Sequence, residues 1–309
     1  MQICLRSANF QSATGDGLLD GGQGNGVRLF WPTLCIVLLW IGLAAGQRCY
    51  ATLPAAIPHL DVPHAAVTPG VTARPSDPAW AGPPLIGHLT LSLGCNSAGH
   101  PLPTKIWLQW NRDWLYIRFD CLGPKPYAPY GKKRNAPHYR GDVAEVFLDP
   151  VGDSRQYFEI EVSPANGVLE QNTLITTRPR SQADGVLAGD ILRRNYWPDL
   201  GYDIRGLRTA ASIHRDGKKY VWTVDLAIPA NSVLKRTGHQ HFHVGMRMRM
   251  NLLRYHYTGP LKDAHRQLVA MNWSPVACGQ PHVSPMRMGW LLLGKRAGRE
   301  PPHSHRPDR

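Results

Sequence analysis

Six carboxylates stand close together in YRGDVAEVFLDPVGDSRQYFEIEVSP, residues 139–164, within a chain whose net charge is +13. They are Asp142, Glu145, Asp149, Asp153, Glu159 and Glu161. Paired carboxyls can act as general acid and base across a glycosidic bond, but that chemistry needs two acids facing each other over a cleft. These six sit in one short stretch. The DPVGDS turn has the look of an acidic calcium loop, which makes Asp142, Asp149 and Asp153 the calcium candidates. Calcium takes six to eight oxygens, so other loops would have to add ligands. A third chemistry is hydrogen bonding to the hydroxyls of a bound ligand. No Gly-x-Ser-x-Gly elbow, phosphate loop or His-Glu-x-x-His appears, so the common hydrolase signals are missing. The histidines at 239, 241 and 256 lack ligand spacing.

The elements that must position these residues read as strands. Residues alternating at period two share a face of a sheet. In QYFEIEV, Phe158, Ile160 and Val162 point one way and Tyr157, Glu159 and Glu161 the other. In VAEVFLD, Ala144, Val146 and Leu148 oppose Val143, Glu145, Phe147 and Asp149. A turn centred near Gly152 sets Glu145 opposite Glu159. Like charges across strands are unfavourable without a compensating donor or cation, so something positive or hydroxylated is expected there.

Other strands follow. HLTLSLG places Leu89, Leu91 and Leu93 on one face; KIWLQWNRDWLYIRFDC is a hairpin turned at Asn111-Arg112-Asp113; LRTAASIHRDGKKYVWTVDLAIP is another, turned at Asp216-Gly217. HFHVGMRMRMNLLRYHY is a Met/Arg-alternating strand, and GWLLLG closes the set. Between strands, LGPKPYAPYGKKRNAPHYRG is a loop of the length that usually carries function. With 30 Gly and 27 Pro and no long helical period, the chain is expected to be all-β, an antiparallel sandwich over 70–295. The row Met246, Met248, Met250, with Met286 and Met288, is ordinarily core packing. The alternative is a methionine ligand to haem.

Residues 1–51 read as a leader. Leu29–Ala45 is an apolar run of 17 residues, followed by small residues that suit signal peptidase; an uncleaved anchor is the other reading. Secretion or periplasmic export is the expectation, with any membrane attachment through 29–45. A Pro/Ala-rich linker is expected over 52–69 and a disordered basic tail over 296–309. In an oxidising compartment one disulfide among Cys95, Cys121 and Cys278 is an option, isolated buried thiols another. Nucleic acid, the usual partner of a basic chain, is not expected for an exported one.

SDPAWAG, IWLQWNRDWLYIRFDC, the 139–164 stretch, YVWTVDLAIP and NWSPVACGQPHVSPMRMGWLLL, in that order, resemble the carbohydrate-binding family 9-like domain, an immunoglobulin-like β-sandwich related to the DOMON group. The resemblance implies an exported, non-catalytic domain that binds a saccharide, often beside polysaccharide-degrading enzymes. It also keeps open a DOMON-type haem module and a link to O-glycosyl hydrolase activity. In the family two tryptophans sandwich a sugar while a Glu, an Arg and an Asn bind its hydroxyls. By motif these positions fall on Tyr139 and His282, Glu145, Glu161 and Ser163. Tyr139 keeps an aromatic ring and Glu145 keeps the carboxylate, whereas Glu161 reverses the arginine's charge. Tyr127, Tyr130, Lys133 and Arg134 of the long loop would form the rim, and their basic character points to an acidic saccharide.

Overall fold

Period-two alternation decides the architecture, because each strand has one apolar face that must be covered. The structure is a computed structural model and describes residues 56–92, 97–175, 196–276, 282 and 285–295. The leader, the basic tail, Cys49, Leu93, Cys95 and Cys278 lie outside the described residues.

The strands are β1 (His59–Val62), β2 (Thr90–Leu91), β3 (Thr104–Trp110), β4 (Trp114–Gly123), β5 (Val143–Asp149), β6 (Gln156–Val162), β7 (Val168–Ile175), β8 (Tyr196–Asp199), β9 (Arg208–Asp216), β10 (Lys219–Pro229), β11 (Arg247–Tyr257), β12 (Leu268–Asn272) and β13 (Gly289–Leu293). They form two sheets. The smaller has the order β3-β4-β10-β9; the larger runs β1-β13-β11-β5-β6-β7-β8, with β12 joining β11 to β2. All pairings are antiparallel except β1 with β13. One edge of the eleven-residue β11 is shared, Arg247–Met250 pairing with β13 and Leu253–Tyr257 with β12.

Ile106, Leu108, Ile117, Phe119, Trp222 and Val224 of the small sheet meet Val146, Leu148, Ile160, Val162 and Leu252 of the large one in a single core. The expected β-sandwich is therefore the observed fold. Met246, Met248 and Met250 are buried in that same core, which is the packing role of a methionine row on a strand. The two hairpins turn where expected. Asn111 Oδ1 accepts the N–H groups of Asp113 and Trp114, and β9 returns into β10 through Gly217 at φ +61°.

One feature differs from the sequence reading. Residues 59–62, inside the stretch read as a linker, form β1 on the edge of the large sheet; the flanking Pro58 and Pro63 hide it, though Pro58 O accepts Trp290 N–H and Val62 is fully buried. Of the two readings open for Cys121, the buried thiol is the one observed: it is a free thiol inside the sandwich, where burial pushes its pKa up to about 12.

The two sheets are also tied by polar groups. Arg254 projects from β11 into the sandwich, with Nη1 3.0–3.2 Å from Pro103 O, Thr104 Oγ1 and Leu122 O, so one guanidinium on the large sheet satisfies carbonyls of the small one. On the outer side of the small sheet, Arg118 and Asp225 make a bidentate pair at 2.7 and 2.9 Å, each about 1% exposed.

Candidate functional site

The hairpin β5–β6 sets the site. Asp149 closes its turn by accepting the N–H groups of Val151, Gly152 and Ser154, so six residues, Pro150–Arg155, separate the strands. The register that follows puts Leu148 opposite Phe158 and Glu145 opposite Glu161, with Glu159 across from Phe147. Glu145 therefore faces Glu161 and not Glu159, the turn being centred one residue later than the sequence pattern indicates. The face assignment is unaffected by this shift of two, and all three glutamates lie on the outer side of the large sheet.

That outer face is covered, not open. Val143, Phe147, Tyr157, Leu253, Tyr255 and Met288 form a second apolar cluster there. Glu145, Glu159 and Glu161 are buried among them at 2%, 4% and 1% exposure, and their oxygens lie within 4.8 Å of one another. Burial raises each carboxyl well above its ordinary pKa, and a neighbouring carboxylate raises it further: Glu161 acts on Glu145, Glu145 on Glu159 and Glu159 on Glu161. Burial pushes the Tyr255 phenol up as well. Three such groups cannot all ionise in one dry cluster, so protons are retained and the carboxyls both donate and accept.

Their partners are specific. Glu161 accepts the backbone N–H of Tyr139 at 2.8 Å. Glu159 accepts from the Gln171 amide, and His282 Nε2 lies 3.4 Å from it. His282 Nδ1 meets the Tyr157 hydroxyl at 2.5 Å, and its ring stands edge-on to Phe147. Burial holds His282 neutral, with a pKa lowered to about 3.

Among the sequence candidates, Tyr139, Glu145, Glu161 and His282 are thus brought to one place. Tyr139 is the one at the surface, 45% exposed. It sits on a 3-10 turn, His138–Arg140, fastened at several points: Tyr257 Oη donates to Tyr139 O, Arg266 donates to Arg140 O and stacks 3.7 Å from the Tyr257 ring, and Gly141 N–H returns to His138 O. His282 is a correction: it is a buried hydrogen-bonding group and not an exposed stacking platform. Ser163 is another. It is 1% exposed and its Oγ accepts Gly167 N–H at 2.9 Å, which commits it to the turn before β7.

The rim is divided. Lys133 is exposed, and Tyr130 meets His138 edge-on. The Tyr127 hydroxyl accepts Leu261 N–H, while Arg134 is spent on Glu170 and Asp203 at 3.0 and 2.5 Å. The three calcium candidates are not gathered. Asp142 accepts from His256 Nδ1 and Tyr257 N–H and so fixes the start of β5, Asp149 caps its turn, and Asp153 pairs with Arg236. Among the described residues the grouping that has the spacing of cation ligands is Glu145, Glu159 and Glu161, which would have to shed their protons to hold an ion. Tyr255, Gln171 and Phe147 complete the cluster and were not singled out as site residues. A period-two count on β11 and β7 is the signal that finds them.

Gly141 lets the Tyr139 turn approach the long loop. A Cβ there would lie 2.3 Å from Pro129 Cδ and 2.8 Å from Tyr127 O. Gly141→Ala is expected to cost about 1–3 kcal/mol, as overpacking does. Urea denaturation reads the loss, and a shift of the Tyr139 ring resonances in the folded variant reads the displaced turn.

No protein-family model matches the chain, and no curated protein matches it. Solved structures similar to it include a carbohydrate binding module family 9 from Caldicellulosiruptor kristjanssonii in complex with glucose, at 16% identity over 79% of this chain and 100% of that one, TM-score 0.46. The same organism's module in complex with cellotriose matches at 16% identity over 81% and 99%, TM-score 0.45. A Bacteroides uniformis protein provisionally described as carbohydrate-binding matches at 14% identity over 76% and 99%, TM-score 0.47. The likeness is one of general fold.

Proposed function

We propose that the chain is an exported, non-catalytic carbohydrate-binding domain whose ligand meets the outer face of the large sheet at Tyr139 and is held by the carboxyl groups beneath it. The observation that carries this reading is the placement of Glu145, Glu159 and Glu161. They lie on an outer face rather than in the sandwich core, and Glu161 accepts the N–H of Tyr139, whose ring is exposed. Carboxyls that keep some protons can both donate to and accept from sugar hydroxyls, and a tyrosine ring offers the flat apolar surface that a pyranose face needs. A sugar that reaches the carboxyls moves His282 or the Tyr139 turn aside. The exposed Lys132 and Lys133 of the neighbouring loop favour an acidic saccharide.

Hydrolysis fits the geometry poorly. Glycosidase carboxyls flank the scissile bond at about 5–9.5 Å with substrate between them. Here the oxygens are within 4.8 Å of one another and are packed against protein.

A glycan array probed with the full chain tests the reading. Binding to a defined saccharide class, weakened at least tenfold by Tyr139→Ala, is the expected result; an array with no bound glycan counts against it. Turnover of any bound glycan, lost in Glu145→Gln, would replace binding with hydrolysis.

A further inference from the structure

A cleft of about 570 Å³ opens on the outer face of the small sheet, away from the carboxyl cluster. Its floor follows from register. Arg208 on β9, Ala227 on β10 and Tyr116 on β4 are partners in one row across the sheet, and all three line the cleft. The alanine methyl leaves the floor low between two large side chains. The opposite wall is the segment from Thr68 to Val71. That wall is held in place by Asp225, which accepts the N–H groups of Thr72 and Ala73 at 3.2 and 2.7 Å.

The cleft carries an unneutralised cation. The Arg208 guanidinium lies 4.5 Å over the Trp114 ring and has no carboxylate partner among the described residues. Stacking on an indole fixes the guanidinium plane while leaving its fork of donors available. Thr68 also lines the cleft, and its side-chain hydroxyl has no hydrogen bond among the described residues. Val71 and Leu207 add apolar surface. The volume falls within the range of small-molecule sites, about 300–1,000 Å³.

We propose that this cleft is a second ligand site, one that takes a carboxylate-bearing sugar, a uronic acid residue. A planar fork matches a carboxylate in bidentate fashion. The Thr68 hydroxyl matches a ring hydroxyl, and the apolar side chains match the sugar's C–H face. The inference stands on the small sheet alone and does not depend on the reading of the carboxyl face.

Calorimetric titration of the full chain with glucuronate and galacturonate, beside glucose, acetate and sulfate, tests it. Arg208→Gln removes the fork at an exposed position, and Lys218→Gln, in the exposed β9–β10 turn, removes the same charge elsewhere. Uronate should bind the wild type and Lys218→Gln alike, at least tenfold more weakly to Arg208→Gln, and glucose should not compete. Ala227→Leu, which raises the floor, should weaken uronate as well. The proposal is overturned if no uronate binds, if Arg208→Gln binds it unchanged, or if acetate or sulfate binds as tightly as the uronates. It is equally overturned if Tyr139→Ala abolishes the binding while Arg208→Gln does not, since the ligand then sits on the large sheet.

Discussion

Replacing Asp225 by alanine is expected to cost about 3–5 kcal/mol of folding stability, the range for removing one member of a buried ion pair. Three losses coincide. Arg118, about 1% exposed, keeps its charge with no carboxylate against it, and the N–H groups of Thr72 and Ala73 lose their acceptor. Trp80 packs 5.3 Å from the same guanidinium and belongs to the apolar cluster with Tyr116 and Ala227, so the wall from Thr68 to Ala73 loosens with it. Urea denaturation of wild type and Asp225→Ala reads the difference directly. The double variant Arg118→Met, Asp225→Leu should recover most of the loss, because it removes both charges together. A single variant that loses less than about 1 kcal/mol would show that the pair adds no more than a surface bridge does.

The second large effect is an unusual dependence on pH. Glu145, Glu159 and Glu161 have folded-state pKa values raised well above the ordinary carboxyl value, first by burial and then by one another. Below about 4.5 they are protonated in both the folded and the unfolded chain, and they bring no pH-dependent penalty. As pH rises past that value the unfolded chain releases its protons while the folded one keeps them, so stability falls until the folded pKa values are passed. Each proton retained in this window contributes a slope of about 1.4 kcal/mol per pH unit. Asp149 and Glu170, also raised by burial, act in the same sense.

His282 opposes them. Its pKa is lowered from 6.5 to about 3 by burial, so its contribution is complete above 6.5 and is lost as pH falls toward 3. Stability should therefore increase as pH falls below the raised carboxyl values toward about 4.5, and turn over below that, where only the loss from His282 remains. His282→Gln should remove much of the acid-side loss, and Glu159→Gln should flatten the rise. Urea midpoints collected across this range would decide it. A midpoint that climbs steadily from about pH 5 to 8, in wild type and in His282→Gln alike, would contradict the raised carboxyls.

Much of the fold was legible because it depends on alternation. Phe158, Ile160 and Val162 against Tyr157, Glu159 and Glu161 is a pattern that only a strand with two different faces satisfies, and both faces are as read. Asn111 and Gly217 mark their hairpins through local chemistry, which a sequence displays. Register was less accessible, because it is set by how Asp149 caps its turn, and a shift of two changes which glutamates face each other without disturbing the pattern. What covers a face is not written locally either. Alternation placed the glutamates outside the core, where exposure is the natural expectation, yet His282 and Met288, more than a hundred residues on, bury them. The same non-local packing turns His282 from a ligand contact into an internal hydrogen-bonding group, while Ser163 is committed locally, to Gly167 in the turn before β7. The Arg118–Asp225 pair and the Arg208 cleft join residues far apart in the chain, and neither has a motif.

Isothermal titration of the full chain with its best-binding glycan, in wild type and in Tyr139→Ala, tests the saccharide reading of the large sheet most directly. Saturable binding in wild type, weakened at least tenfold without the ring and unchanged in Arg208→Gln, is the predicted result. A glycan that binds Tyr139→Ala as tightly as wild type, or a wild-type chain that binds none, would contradict it.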